Sequence, residues 1–220
     1  MCGILRKRKV FWYGIIQKRI RLLTTGILFL VVGIVLTVMT AGDLIDNAKT
    51  PKDYANLQME DFKEGMMVEG DLLDNYGWYE NITRESDSGS SKVVGYYYLI
   101  DAGDEGLMGL YTPIDELIKE LDKQEEEGND YWNGYTDEEP RKVHFKGKVC
   151  KMDSEDIKIY REYLSDMGMT SADIDEYCLE LYIKVTDTSS HPVLLIVGIV
   201  VIVLGLLFGF LFVRNKMMGR

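Results

Sequence analysis

The hydrophobic pattern divides the chain into three parts. Residues 22–41 (LLTTGILFLVVGIVLTVMTA) form a run of 20 without a charge, and residues 192–213 (PVLLIVGIVVIVLGLLFGFLFV) form a second of 22. As helices they reach ~30 and ~33 Å, about one hydrocarbon thickness. Uncharged runs this long do not suit the core helices of a small domain, so both read as transmembrane helices. A cleaved signal peptide fits the first run less well. It would need a 21-residue leader and an apolar part longer than the usual roughly 7–15 residues, and Thr40-Ala41-Gly42 is a poor cleavage match.

Between the runs, residues 42–191 are numerous enough for one domain with its own core. Five stretches alternate or are rich in β-branched and aromatic residues: 65–73, 91–103, 105–113, 142–152 and 178–187. In KVHFKGKVCKM, Val143, Phe145, Gly147 and Val149 share one face; in CLELYIKVTD, Leu179, Leu181, Ile183 and Val185 do. YYYLIDAG marks an interior strand, and the glycines and acids of DAGDEG suit a hairpin turn. Helices carry start signals. Thr112-Pro113 precedes an apolar face of Ile114, Leu117, Ile118 and Leu121, and Asp153-Ser154 precedes Ile157, Tyr160 and Leu164, with Gly168 as a stop. A third short helix starts near Thr170-Ser171. Segments 84–92 and 123–130 (KQEEEGND) read as solvated loops, and 43–52 as a linker. The expectation is an α+β domain of mainly antiparallel strands with two or three helices, either an OB-like barrel or a plain open sheet.

Charge then sets an orientation. Residues 1–42 and 192–220 contain no Asp or Glu but hold ten Lys and Arg, seven of them within RKRKVFWYGIIQKRIR (6–21). The middle holds 15 basic residues against all 36 acids, a net −21. Basic segments beside spans stay cytoplasmic. Segments 1–21 and 214–220 are therefore expected inside, and 42–191 outside. Phe11, Trp12 and Tyr13 add an interfacial belt, and the basic side chains meet anionic lipid. The bilayer is thus the expected partner. The basic tail carries no nucleic-acid-binding fold of its own, so nucleic acid is not.

EGMMVEGDL, YYYLIDAG, VHFKGKVCKM, YREYLSDMG and LYIKVTD, in that order, resemble a family of uncharacterised two-pass membrane proteins from low-GC Gram-positive bacteria, many of the gut. The resemblance runs over most of residues 20–213 through Gly70, Tyr96–Tyr98, Phe145-x-Gly147-x-Val149, Tyr160, Leu164 and Gly168. It implies a bacterial plasma membrane and two spans around an extracytoplasmic domain. It brings no activity and no catalytic residues.

Candidate chemistry is sparse. The two histidines, His144 and His191, and three cysteines show no zinc spacing, and no HExxH, Walker or GxSxG motif is present. The acids of DAGDEG (Asp101, Asp104, Glu105) and of NDYWNGYTDEEP (Asp130, Asp137, Glu138, Glu139) lack EF-hand spacing and read as solvated. Aromatic clusters at Tyr76, Trp78, Tyr79 and at Tyr131, Trp132, Tyr135 pack in the sheet or stack on a sugar or a partner protein. Asn81-Ile82-Thr83 matches the glycosylation pattern. No cofactor and no catalysis are expected. The expected role is a surface interaction or assembly module; the alternative is a domain binding cell-wall glycan or cations, and an enzyme acting on the envelope comes third.

Two structural expectations follow. Gly205-x-x-x-Gly209 permits close helix approach. With antiparallel spans, Gly26 and Gly209 come to one depth, with Gly33, Thr37 and Ala41 continuing the ridge; the spans pair with each other or with a second copy. Cys150 and Cys178 both fall on the outward parity of their strands. If those strands are neighbours, they are candidates for a disulfide.

Overall fold

The structure, a computed structural model, describes residues 2–85, 89–103, 106–186 and 191–217. It divides into two compact units, Met1–Ile45 with Thr188–Arg220, and Asp46–Asp187. Asp104, Glu105, Arg220 and part of the 84–92 segment lie outside the described residues.

The first unit is built from two long helices, α1 (Cys2–Asn47) and α5 (His191–Met217). Within them, Leu23–Asn47 and His191–Asn215, 25 residues each, are long and apolar enough to cross a membrane. Residues 43–47, read above as the start of a linker, are helical. A helix ends where its backbone hydrogen bonding ends, not where apolar residues stop. Here the break precedes Pro51, which pushes the residue before it out of helical conformation.

The two helices touch through small residues. A Cβ on Gly33 would lie 2.7 Å from Ile202 Cγ1 and 2.9 Å from both Gly198 O and Ile202 N. One on Gly205 would lie 2.8 Å from Leu30 Cγ and 3.0 Å from Gly26 O, and one on Gly198 2.6 Å from Thr37 Oγ1. A Cβ on Gly26 would lie 3.3 Å from the Gly205 carbonyl oxygen and 3.4 Å from the Gly209 amide nitrogen. A side chain on Gly209 itself would meet nothing within 4 Å. The second partner of the ridge is Gly198, one heptad before Gly205. The Thr37 hydroxyl donates to Gly33 O at 2.8 Å, so its polar group is satisfied within α1.

The second unit is one open sheet of seven strands with helices on both faces. The strands are β1 (Lys52–Asp53), β2 (Met67–Leu72), β3 (Asn75–Glu85), β4 (Ser91–Asp101), β5 (Leu107–Thr112), β6 (Val143–Lys151) and β7 (Cys178–Lys184). They lie in the order β1-β2-β6-β7-β5-β4-β3. β1 with β2 and β5 with β7 are parallel, and the other pairs antiparallel. With β1 and β3 at opposite edges, the sheet does not close into an OB-like barrel.

Helix α2 (Asp115–Trp132) covers one face, and α3 (Ser154–Asp166) and α4 (Ser171–Tyr177) cover the other. The first core gathers Val143, Phe145 and Val149 of β6, Ile183 of β7, Tyr98 and Ile100 of β4, and Leu117 and Leu121 of α2. The second gathers Tyr79, Tyr97, Leu99, Tyr160, Leu164 and Ile174. Tyr160 and Leu164 are fully buried, and the Leu164 side chain contributes about 1.5–3 kcal/mol. The Asp153 carboxylate caps α3 by accepting from the Glu155 and Asp156 amides, and Gly168 at φ +96° ends it, a conformation that favours glycine. Thr112 does not cap α2. Its hydroxyl accepts from the Ile114 amide while it closes β5, and the helix starts at Asp115. KQEEEGND, expected as a loop, is the second half of α2.

Candidate functional site

A cleft of about 610 Å³ opens where β1 lies beside β2, with β6 the next strand of the sheet. The outward parity of β2 carries Glu69 and Asp71, and that of β6 carries His144 and Lys146. The register sets Asp71 opposite His144 and Glu69 opposite Lys146. These are opposite-charge cross-strand pairs, each contributing roughly 0.2–1 kcal/mol. His144 Nδ1 lies 2.9 Å from Asp71 Oδ1, and Nε2 lies 3.6 Å from Glu69. The Asp71 hydrogen bond, with Glu69 beside it, raises the His144 pKa above its ordinary 6.5. The folded state therefore favours the protonated ring. Its contribution is present below about pH 6.5 and fades as pH rises through the raised value. It is small, because the ring is exposed.

Asp53 and Lys52 of β1, Lys142 ahead of β6, and Asp101 at the end of β4 complete the cleft. The Tyr54 hydroxyl donates to the Asp101 carbonyl across it. Burial and the nearby Asp101 hold the Asp74 carboxyl above its usual range. The mixed charges suit a small polar ligand. Among the described residues, no cluster of three or more His, Cys, Asp or Glu is placed to hold a metal ion. Among the described acids singled out in the sequence, Asp101 lines this cleft.

A second site forms around the end of α2. Fully buried Gln124 donates from Nε2 to the carbonyls of Leu72 at 2.9 Å, Leu73 at 3.2 Å and Arg141 at 2.8 Å, and accepts from Asn75 Nδ2 at 3.1 Å. Glu127, one turn later, grips Arg141. It accepts from Nη2 at 2.7 Å, from Nε at 3.0 Å and from the backbone amide at 3.0 Å. This clamp fixes the segment containing Pro140, which walls a cleft of about 160 Å³ with Asp74, Tyr76, Asn129, Trp132 and Met167 on its other sides. Trp132 is 72% exposed, and the Tyr131 ring meets it edge-on at 5.4 Å. Tyr79 and Trp78 go elsewhere. Tyr79 joins the second core, and Trp78 packs edge-on against Tyr96 on the first face.

The Arg141 hydrogen bonds hold the Glu127 carboxyl down at about 2. A depressed carboxylate stabilises the fold above its ordinary pKa of 4.5, and that contribution is lost as pH falls towards 2. Glu127→Gln should lower the thermal midpoint at about pH 7, with the gap to the parent closing between about pH 4.5 and 2. An equal gap at both ends of that range would contradict the clamp.

Residues 16–214 match a family described as a domain of unknown function (DUF8577). The chain belongs to that family. No curated protein and no solved structure matches it.

The cysteines of this DUF8577 member require a correction. β6 and β7 are neighbours, as the disulfide needs, but Cys150 stands opposite Tyr182. Cys178 is four residues along β7, ~13 Å away at strand rise. Both thiols are free. The parity taken as outward is also covered: Cys178 and Tyr182 pack against the second core. Burial pushes both thiols up from their ordinary pKa, which makes them poor nucleophiles.

Proposed function

We propose that the chain is a two-pass protein of a bacterial plasma membrane. Both termini are cytoplasmic, and residues 42–191 serve outside as a non-enzymatic interaction or assembly module. The observation that carries this reading is the sorting of charge: no acid in residues 1–42 or 192–220, and all 36 between them, across two apolar helices. Exposed aromatics on the folded unit, Trp78 at 47% and Tyr135 at 80%, support a contact role. The partner is a protein or a second copy of the chain, not nucleic acid, which a −21 domain repels. The cleft of about 610 Å³ favours a second reading, a ligand-binding domain for glycan or cations.

Single cysteines test the placement. A cysteine at Ser90 should react with a membrane-impermeant thiol reagent in intact cells, and one at Lys216 should not. The reverse pattern would overturn the orientation. A photo-crosslinker at Tyr135 in the same cells should then give adducts with a defined partner. If no exposed position gives one, the module reading fails and ligand binding replaces it.

A further inference from the structure

We propose that the cleft at the end of α2 is a carbohydrate site that seats one ring of a neutral, extended glycan against Trp132. This deepens the reading above and rests on it for access to extracellular sugar.

Three elements converge there, with Tyr76 from β3, Trp132 from α2 and Met167 following α3. The indole is left in solvent while Tyr131 fixes its tilt. A pyranose offers a flat C–H face to such a ring and a rim of hydroxyls around it. The rim has partners. Asn129, three residues before Trp132, lies on the same helix face. Among the described residues no hydrogen bond reaches its side-chain amide or the Asp74 carboxylate. The carboxylate accepts from hydroxyls, and the amide both donates and accepts.

Gly128 leaves the wall beside the indole bare. It lies inside a helix of 18 residues, where glycine is a poor helix former, and it lines this cleft. A Cβ there would meet nothing within 4 Å, so no packing in the fold requires glycine. What the missing side chain preserves is open space one turn below the indole.

Size and charge select the ligand class. The cleft of about 160 Å³ falls below the roughly 300–1,000 Å³ of sites that enclose a drug-sized molecule, so one ring enters and the rest of the chain lies across the surface. A protein partner needs roughly 800 Å² on each side, far more than one indole, one phenol and one thioether supply. The net −21 of the surrounding domain disfavours nucleotides and acidic sugars.

The test uses the full chain in lipid nanodiscs, where both faces are open and binding does not depend on orientation. The probes are β-1,4-linked N-acetylglucosamine tetrasaccharide and maltotetraose, read by tryptophan fluorescence and calorimetry. At least one should bind saturably. Trp132→Ala should weaken it by about tenfold or more without moving the thermal midpoint, since the ring is exposed. Gly128→Ala should raise the midpoint by about 2–4 °C and yet weaken binding. The proposal falls if neither sugar binds, or if binding survives both substitutions. It also falls if Trp132→Ala instead removes a protein adduct in intact cells, which would make the surface a protein contact. Cysteine labelling at Ser90 decides the orientation separately.

Discussion

Gly33→Leu should part the two apolar helices. In hydrocarbon there is no hydrophobic force between helices, and association depends on how closely the backbones approach. At Gly33 two of the three nearest atoms to an added Cβ, Gly198 O and Ile202 N, are backbone at 2.9 Å and cannot rotate away. A leucine must push α5 outward along its length and break the neighbouring contact of Gly205 with Gly26. A cysteine pair at Phe29 and Phe208, whose rings lie 5.8 Å apart, reports the pairing once the native cysteines are replaced by serine. Disulfide or short-crosslinker yield should fall about tenfold, the equivalent of a packing loss near 1.4 kcal/mol. Gly209→Leu is the internal control, because its added side chain enters open space. Equal yields for the two variants would refute the interlocked ridge.

The second large effect is expected at Gln124. Gln124→Leu keeps the volume and removes the donor that three carbonyls share, those of Leu72, Leu73 and Arg141. A buried acceptor left without a partner costs about 1–3 kcal/mol, and water can reach the two part-buried ones. The net loss should be about 3 kcal/mol, a large share of a typical 5–15 kcal/mol margin. It should appear as a midpoint lowered by about 6–12 °C. A loss below ~1 kcal/mol would mean that solvent replaces the amide and that the clamp is not structural. The prediction separates from that at Glu127 by pH, since an amide does not titrate.

These two positions also mark where the sequence was readable and where it was not. β6 and β7 were legible because one face of each is uniformly apolar, and Val143, Phe145, Val149 and Ile183 do fill the first core. β3 was not. Asn75, Gly77, Glu80 and Asn81 interrupt the period of two, and register shifts from Asn75 through Glu80 change which face a residue occupies. The second half of α2 was missed because only Gln124 points inward over KQEEEGND, and a buried glutamine leaves no hydrophobic signal. The cysteine parity misled for a related reason. A strand covered on both faces shows its apolar period on one face, while the other is filled by Tyr97, Tyr182 and Cys178, which read as solvent-facing. Of the candidate sites, the aromatic residues at 76 and 132 were visible as clusters. That Gly128 leaves room beside Trp132 could be seen only once the helix was known to continue.

The position of β7 has a consequence for biosynthesis. It is the last strand to leave the ribosome, yet it lies in the middle of the sheet, joining the ribbon β1-β2-β6 to the ribbon β5-β4-β3. Until residues 178–184 emerge, β6 and β5 each present a bare edge, the form of strand that most readily pairs with the wrong chain. Seven residues after Lys184 the second apolar helix begins at His191. Synthesis at roughly 5–20 residues per second crosses that gap in about a second or less. Closure of the sheet and delivery of the second apolar helix therefore fall in the same interval of translation. A chain that stalls between residues 151 and 178 carries two unjoined half-sheets and one apolar helix, a form suited to disposal rather than to rescue.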